Sequence, residues 1–453
     1  MRQAREIFDL LAPRFPVLER LRARKTALAS VFAMSIRAAG ALLTIAIFTL
    51  AARAMSADEF GQLAVWFNAM SLLAVASVFG QDTLIARSWG EYSGRGEHGV
   101  ARRAYRFGWG VTVVSSTVFV VGLLVLAPVA NLRIAPTALY AAATFLFAQT
   151  LLHFSSHSSR VLVGFVVSEV NRELTWRLVL LAVVALAFWR QDFTLAQFFF
   201  ASVVGMALAI LFQSRAVGRK LAQSPVFDAE TTHPAVWLFR ALAMWLSAIV
   251  EAMSQYADVM LIGYFASPAV AGEYFVAARI ANIFLMVTTG LHTYSLSHSA
   301  NLFFSNQIGK LQEILRSLAF VSLGFLLPSV TIIMIAGDLI LTMFGARYAA
   351  VYPTLIVLTL ASFARSLCGP APGILLTTGH EQLYSWIVVL ATAARMALTA
   401  ILAAKYGALG AAVSWAIGNV PLAIGLAIVC RRVCGLDPSV AAVLWHPRVR
   451  AAS

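Results

Sequence analysis

The sequence predicts an all-α polytopic membrane protein with twelve transmembrane helices in two six-helix lobes around a central cavity. Three observations carry the prediction. The 453-residue chain is 60% hydrophobic and only 12% charged, with a mean hydropathy of +0.81, whereas a soluble domain carries roughly 25% charged residues. Apolar runs of about 20 residues, long enough to cross a bilayer as a helix, recur twelve times between polar or Gly/Pro breaks. Basic residues are also sorted by side. With the N-terminus placed in the cytoplasm, inner segments hold 25 of the 34 Lys/Arg and outer loops hold five, namely Arg53, Arg133, Arg190, Arg347 and Lys405. A positive-inside bias of this size supports twelve spans, with both termini expected in the cytoplasm.

Taken in order, the spans begin near residues 26, 60, 105, 135, 168, 195, 236, 272, 314, 350, 383 and 408. Residues 1–25 form a basic cytoplasmic or interfacial segment whose Ile7, Phe8, Leu10 and Leu11 alternate with arginines, interrupted by Pro13 and Pro16. The apolar run that follows is too long for a signal peptide and should remain as a span. The N-terminal lobe is expected over 26–217, a cytoplasmic linker with Pro225 and Pro234 over 218–235, the C-terminal lobe over 236–430 and a cytoplasmic tail over 431–453. The join between the fourth and fifth spans is broken up by Arg160, Glu169, Asn171, Arg172 and Glu173, which read as an inner loop. A faint repeat supports the two lobes. The first outer hairpin reads Ser56-Ala-Asp-Glu-Phe60-Gly61, and Ser267-Pro-Ala-Val-Ala-Gly272 has the same spacing 211 residues later.

Four arginines, Arg37, Arg279, Arg365 and Arg395, sit inside apolar runs. On insertion scales each costs about 2.5 to 3.5 kcal/mol at mid-helix. Arg37, Arg365 and Arg395 lie about 11 to 15 residues from a span end, near mid-bilayer at 1.5 Å per residue, and their helical neighbours are mostly Ala, Ser and Gly. Small neighbours suit either the wall of a wide cavity or close helix packing. An excess of buried positive over unpaired negative charge favours a cavity that receives an anion. Cys368-Gly-Pro370-Ala-Pro372-Gly373 in the tenth span cannot continue an ideal helix and predicts a kink.

Glu251, Gln255 and Asp258 fall at i, i+4 and i+7 on one face of the seventh span. Asp258 pairs with Arg279 at similar depth on the next, antiparallel span, or else takes part in ion coupling. Glu251 is deeper, without an obvious partner, and is the better coupling candidate. Other motifs carry less. Gly94-Arg-Gly96-Glu-His-Gly99 matches GxGxxG, but it lies between two membrane spans with no strand before it, so a nucleotide role is set aside. His153 and His157, four apart, lack the glutamate and third ligand of a zinc site. His292 and His298 are similar. Three dispersed cysteines give no disulfide framework or metal site. No cofactor is expected, only coupling by H+ or Na+. The basic residues form no stripe with interleaved aromatics, so no nucleic-acid partner is expected.

The ordered series of loose motifs resembles a family. Leu50-Ala-Ala-Arg53-Ala-Met-Ser-Ala-Asp-Glu-Phe60-Gly61, then Phe79-Gly80-Gln-Asp-Thr-Leu-Ile-Ala-Arg87, is similar to the start of polysaccharide and oligosaccharide-lipid (Wzx-like) flippases. Asp258-Val-Met-Leu-Ile-Gly263, Gly272-Glu-Tyr274, Ala278-Arg279, Phe344-Gly345-Ala-Arg-Tyr348 and Lys405-Tyr-Gly407-Ala-Leu-Gly410 continue the likeness over most of the chain. The resemblance implies the multidrug/oligosaccharidyl-lipid/polysaccharide exporter superfamily. That family has two six-helix lobes with alternating access, and its oligosaccharide branch moves a polyprenyl-diphosphate-linked sugar.

Together these observations lead to the expectation of a flippase, not an enzyme, in the bacterial inner membrane. Its partners would be a lipid-linked anionic oligosaccharide, membrane lipid, and a polysaccharide polymerase with chain-length proteins. Arg37, Arg365 and Arg395 would bind the diphosphate, with Arg279 a weaker fourth, and Glu251 and Asp258 would couple movement to an ion. The alternatives are a cation-coupled multidrug antiporter of the same superfamily, whose cavity should be acidic and aromatic, and a membrane-embedded glycan polymerase or ligase, which would need large outer loops.

Overall fold

The computed structural model describes residues 16–129, 134–190, 193–222, 234–282, 302–303, 305 and 307–443. Residues 1–15, most of the linker, His292 and His298, and the last ten residues, for which the sequence raises expectations, lie outside this set. Within it the regular secondary structure is helical, and every predicted span has a helix, the eighth as far as residue 282.

In chain order these are α1 (Pro16–Ala54), α2 (Ala57–Val78), α3 (Gln81–Gly94), α4 (His98–Val129), α5 (Pro136–Leu162) and the short α6 (Phe165–Val170). A π-helical segment, Asn171–Thr175, leads into α7 (Trp176–Arg190), followed by α8 (Leu195–Ala222), α9 (Pro234–Phe265) and α10 (268–282). Then come α11 (Ile308–Thr342), α12 (Tyr352–Leu367), α13 (Ala371–Thr377) and α14 (Glu381–Cys434). Nine helices among the described residues are individually long and apolar enough to cross a membrane. The difference from twelve has local causes. The π-helical segment interrupts the fifth span, the eighth is described only in part, and the eleventh and twelfth run together as α14, broken by non-helical backbone at Gly407. The helix also crosses the expected boundary at residue 26, since α1 begins at Pro16.

Local chemistry explains the boundaries. Ser56 caps α2 through a capping box: its hydroxyl accepts from the Glu59 amide at 3.3 Å while Glu59 accepts from the Ser56 amide at 3.0 Å. The chain breaks between α2 and α3 where Phe79 (φ 55°) and Gly80 (φ 70°) enter the left-handed region. Trp245 of α9 takes up the Ala76 carbonyl there at 2.6 Å and lays its ring against Phe79. The predicted kink in the tenth span is a full break, with α12 ending at Leu367 and α13 starting at Ala371.

The two matching hairpins meet in space. A side chain at Gly61 would collide with the Pro268 carbonyl, and a Cβ at Gly272 would lie 3.1 Å from the Gly61 Cα. Around this contact the two halves share one aromatic core, in which Phe48 and Phe60 pack on Phe275 at ring centroid distances of 4.8 and 6.2 Å. At the same end Arg347 donates to the Ala52 carbonyl at 2.8 Å and Arg53 to the Met343 carbonyl at 2.6 Å. Both residues were assigned to outer loops. At the opposite end, inner-loop residues of the two halves meet: Trp237 donates to the Tyr92 hydroxyl at 3.0 Å and Arg240 pairs with Glu91 at 3.4 Å. The segment after α14 is no loose tail as far as Val443. Leu436 and Asp437 are buried, and Gln312 of α11 clamps the Asp437 backbone through two hydrogen bonds of 2.9 and 3.0 Å.

Candidate functional site

A cavity of about 260 Å³ is walled mainly by α1, α2, α5, the π-helical segment, α7 and α8, with Gln255 and Tyr256 of α9 and Arg279 of α10 completing it. Its charged lining consists of Arg172, Glu173, Arg177 and Arg279, with His153, Gln149, Gln255 and Tyr256 adding polar groups. Three guanidiniums thus face one carboxylate. Glu173 pairs with Arg177 at 2.8 Å and lies 3.7 Å from Arg172. Arg279 has no ion-pair partner among the described residues. Its guanidinium rests on three aromatic rings, 4.7 Å from the centroid of Phe275, 5.7 Å from Phe48 and 5.8 Å from Phe67. Cation–π contacts are worth roughly 0.5–2 kcal/mol each, and they leave the N–H fork free to donate.

The structure overturns the pairing of Asp258 with Arg279. Asp258 is bound by Arg395 of α14 through both carboxylate oxygens, the Oδ2 contact measuring 2.6 Å, and Arg395 also donates to the Ser254 carbonyl at 3.3 Å. Both partners are buried. The site is built for this pair: Gly418 leaves room for the arginine stem, and the Thr399 and Ser414 hydroxyls donate to the Arg395 carbonyl at 3.0 and 3.2 Å. Sequence position fixes depth along a helix but not which neighbouring helix a side chain meets. α9 packs against α14 as well as α2, and Asp258 meets Arg395 of α14. Arg279 stays on the cavity wall with Gln255 and Tyr256.

The remaining candidates disperse. Arg37 pairs with Glu169 at 3.3 Å and keeps 40% of its side chain exposed, while the Glu169 side chain is 1% exposed and also holds Arg160. Arg365 is exposed at the end of α12, with Tyr384 and Arg395 nearby. Glu251 is exposed on α9. His153 lines the cavity, and His157 donates from Nδ1 to the His153 carbonyl at 2.9 Å. No cluster of three metal-ligating side chains occurs among the described residues. The GxGxxG glycines span the turn from α3 to α4, with no strand beside them.

Arg172, Glu173 and Arg177 are the charged cavity-lining residues that sequence reasoning missed. Counted as inner-loop charges, they belong instead to a helical wall. The signal was available in the Glu173-to-Arg177 spacing of four, the pairing distance of a continuous helix. A π-helical turn at this point fits a functional wall, since such turns gather at functional sites.

No protein-family sequence model matches the chain, and no curated protein sequence matches it. Solved structures do. An inward-facing multidrug resistance MATE family transporter of the MOP superfamily superposes with a TM-score of 0.70 at 12% identity, covering 90% of this chain and 98% of that one. The lipid II flippase MurJ, in an inward closed conformation, gives 0.65 at 13% identity with 86% of each chain covered. The chain has the MOP-superfamily fold. A third MOP-superfamily transporter, from Pyrococcus furiosus Vc1, is described as having a binding pocket of reverse polarity that suggests a different function. It gives 0.64 at 13% identity, covering 89% of this chain and 95% of that one. At identities this low the likeness shows the fold alone.

Proposed function

We propose that this protein is a transporter that flips a polyprenyl-diphosphate-linked oligosaccharide outward across the bacterial inner membrane by alternating access. The product would feed O-antigen, capsule or exopolysaccharide assembly by a polymerase and its chain-length proteins. The observation that carries the reading is Arg279, a guanidinium on the cavity wall with no carboxylate partner among the described residues. Guanidinium forks match phosphate oxygens in geometry and charge, and Arg172 and Arg177 stand on the same cavity wall. The cavity volume of about 260 Å³ suits a diphosphate and its nearest groups, with the polyprenyl chain left in lipid. The likeness to a lipid II flippase supports a lipid-linked cargo. Arg37 and Arg365, both partly or fully exposed and outside the cavity lining, would guide the headgroup before or after it occupies the cavity. Arg395 holds Asp258 instead, so Glu251 is the better coupling group for H+ or Na+. Both termini would lie in the cytoplasm.

In cells dependent on the variant, Arg279→Ala at normal membrane levels is expected to strand lipid-linked oligosaccharide on the cytoplasmic leaflet. Undiminished flipping would overturn the assignment. For coupling, Glu251→Gln is expected to change the ion dependence of flipping, and an unaltered rate and ion dependence would remove Glu251 from the mechanism.

A multidrug antiporter is the second reading, favoured by the likeness to MATE transporters. Three arginines against one glutamate form a poor receptor for organic cations. Export of a cationic dye by reconstituted protein, with no flipping of lipid diphosphates, would establish it.

A further inference from the structure

We propose that Glu173 is an internal stand-in for the anionic headgroup, occupying the arginines of the empty cavity until a ligand of higher negative charge displaces it. The inference rests on the anionic-cargo reading above. In the structure Glu173 accepts from Arg177 Nη1 at 2.8 Å and sits 3.7 Å from Arg172 Nε. The pair is not sealed, since both side chains of the Arg177–Glu173 bridge keep some exposure, 18% and 16%, where they line the cavity. On this wall Arg177 Nε is buried with no hydrogen-bond partner among the described residues, and Arg279 has no ion pair among them. One carboxylate therefore faces three guanidiniums with donor capacity to spare.

A diphosphate brings more charge and more acceptor oxygens than a carboxylate. Arg172 and Arg177 transfer to it, and Glu173 is left beside a like charge. That displacement reaches α1, because Gly40 closes directly over Glu173: a Cβ there would lie 2.9 Å from the Glu173 Oε2 and 3.2 Å from its backbone oxygen. The outer end of α1 is held to the other half through the Ala52 carbonyl and Arg347. Headgroup capture is thus transmitted to a helix that bridges the halves. The exchange also discriminates, because a ligand of lower charge displaces a carboxylate less readily than a diphosphate does.

The test is equilibrium binding of inorganic pyrophosphate and inorganic phosphate to the full-length protein in nanodiscs. Glu173→Gln and Glu173→Asp are both expected to bind pyrophosphate about ten-fold more tightly than the parent and to lose part of its preference over phosphate. The aspartate variant keeps the charge but withdraws the contact, so it separates displacement from a change in net charge and decides the matter if the glutamine variant fails to fold. Unchanged or weaker binding in the folded variants would make Glu173 a structural brace for Arg177 and overturn the proposal. If the parent binds neither anion, the anionic-cargo reading falls, and this inference falls with it.

Discussion

Arg395 and Arg279 start from the same situation, each an arginine in an apolar run, and the fold treats them in opposite ways. Arg395 is buried against Asp258, with Gly418 cleared for its stem and two hydroxyls on its carbonyl. Arg279 lies on aromatic rings and keeps its N–H fork on the cavity wall. The difference separates two uses of a membrane-embedded charge. A guanidinium saturated by one carboxylate fixes helix positions, here α9 against α14. One left without a carboxylate retains desolvation cost that a ligand can relieve. Neither role follows from depth in the bilayer.

The largest expected effect comes from breaking the saturated pair. Arg395→Ala leaves Asp258 buried without its partner, and losses of this kind run to about 3–5 kcal/mol. The variant should unfold at markedly lower temperature in detergent. The double variant Asp258→Asn, Arg395→Met should recover much of that loss, because it removes both charges together. A double variant no more stable than Arg395→Ala would mean that Asp258 does not depend on Arg395.

Arg279→Ala sharpens the comparison from the other side. Its loss should cost less thermal stability than that of Arg395→Ala, since the cation–π contacts it removes are offset by the desolvation cost of the guanidinium that goes with them. It should weaken pyrophosphate binding by about 1.5–3 kcal/mol, the range for hydrogen bonds to charged groups. A stability loss as large as that of Arg395→Ala, with unchanged anion binding, would erase the distinction between the two sites.

How much of this was legible in the sequence depended on what each signal measures. Hydropathy and charge sidedness report where the chain crosses and which end lies where. Among the described residues a helix accordingly stands at each expected span, the eighth as far as residue 282, the break at Cys368–Gly369 appears as expected, and Arg53 and Arg347 meet at one end. The Ser56–Gly61 and Ser267–Gly272 spacing, faint as a repeat, marks two hairpins in contact. Pairing across helices was not legible, because it depends on azimuth and on which helices become neighbours. Arg395 finds Asp258 from 137 positions away. Averaging over a window hid the π-helical segment as well. Asn171, Arg172 and Glu173 together look like a loop, although the Glu173–Arg177 pair satisfies the charges of a continuous wall.

A smaller effect probes the room made for Arg395. In Gly418→Ala the new methyl would lie 2.5 Å from the Arg395 Cγ and 2.7 Å from its Cδ, so the arginine stem must move while its head stays tied to Asp258. Overpacking of this kind costs about 1–3 kcal/mol, less than severing the ion pair. Because the strain is confined to the saturated site, thermal stability should fall while pyrophosphate binding at the Arg279 wall keeps its affinity. A combined Gly418→Ala, Arg395→Ala variant should show a smaller added loss from the methyl, since of the three stem atoms it strikes only the Cβ, 2.8 Å away, remains. If the two losses instead add in full, the clash lies elsewhere on α14 and Gly418 has no particular part in seating Arg395. Coupling between them would establish that the small residue near the arginine marks close packing, the alternative that small neighbours left open for every arginine in an apolar run.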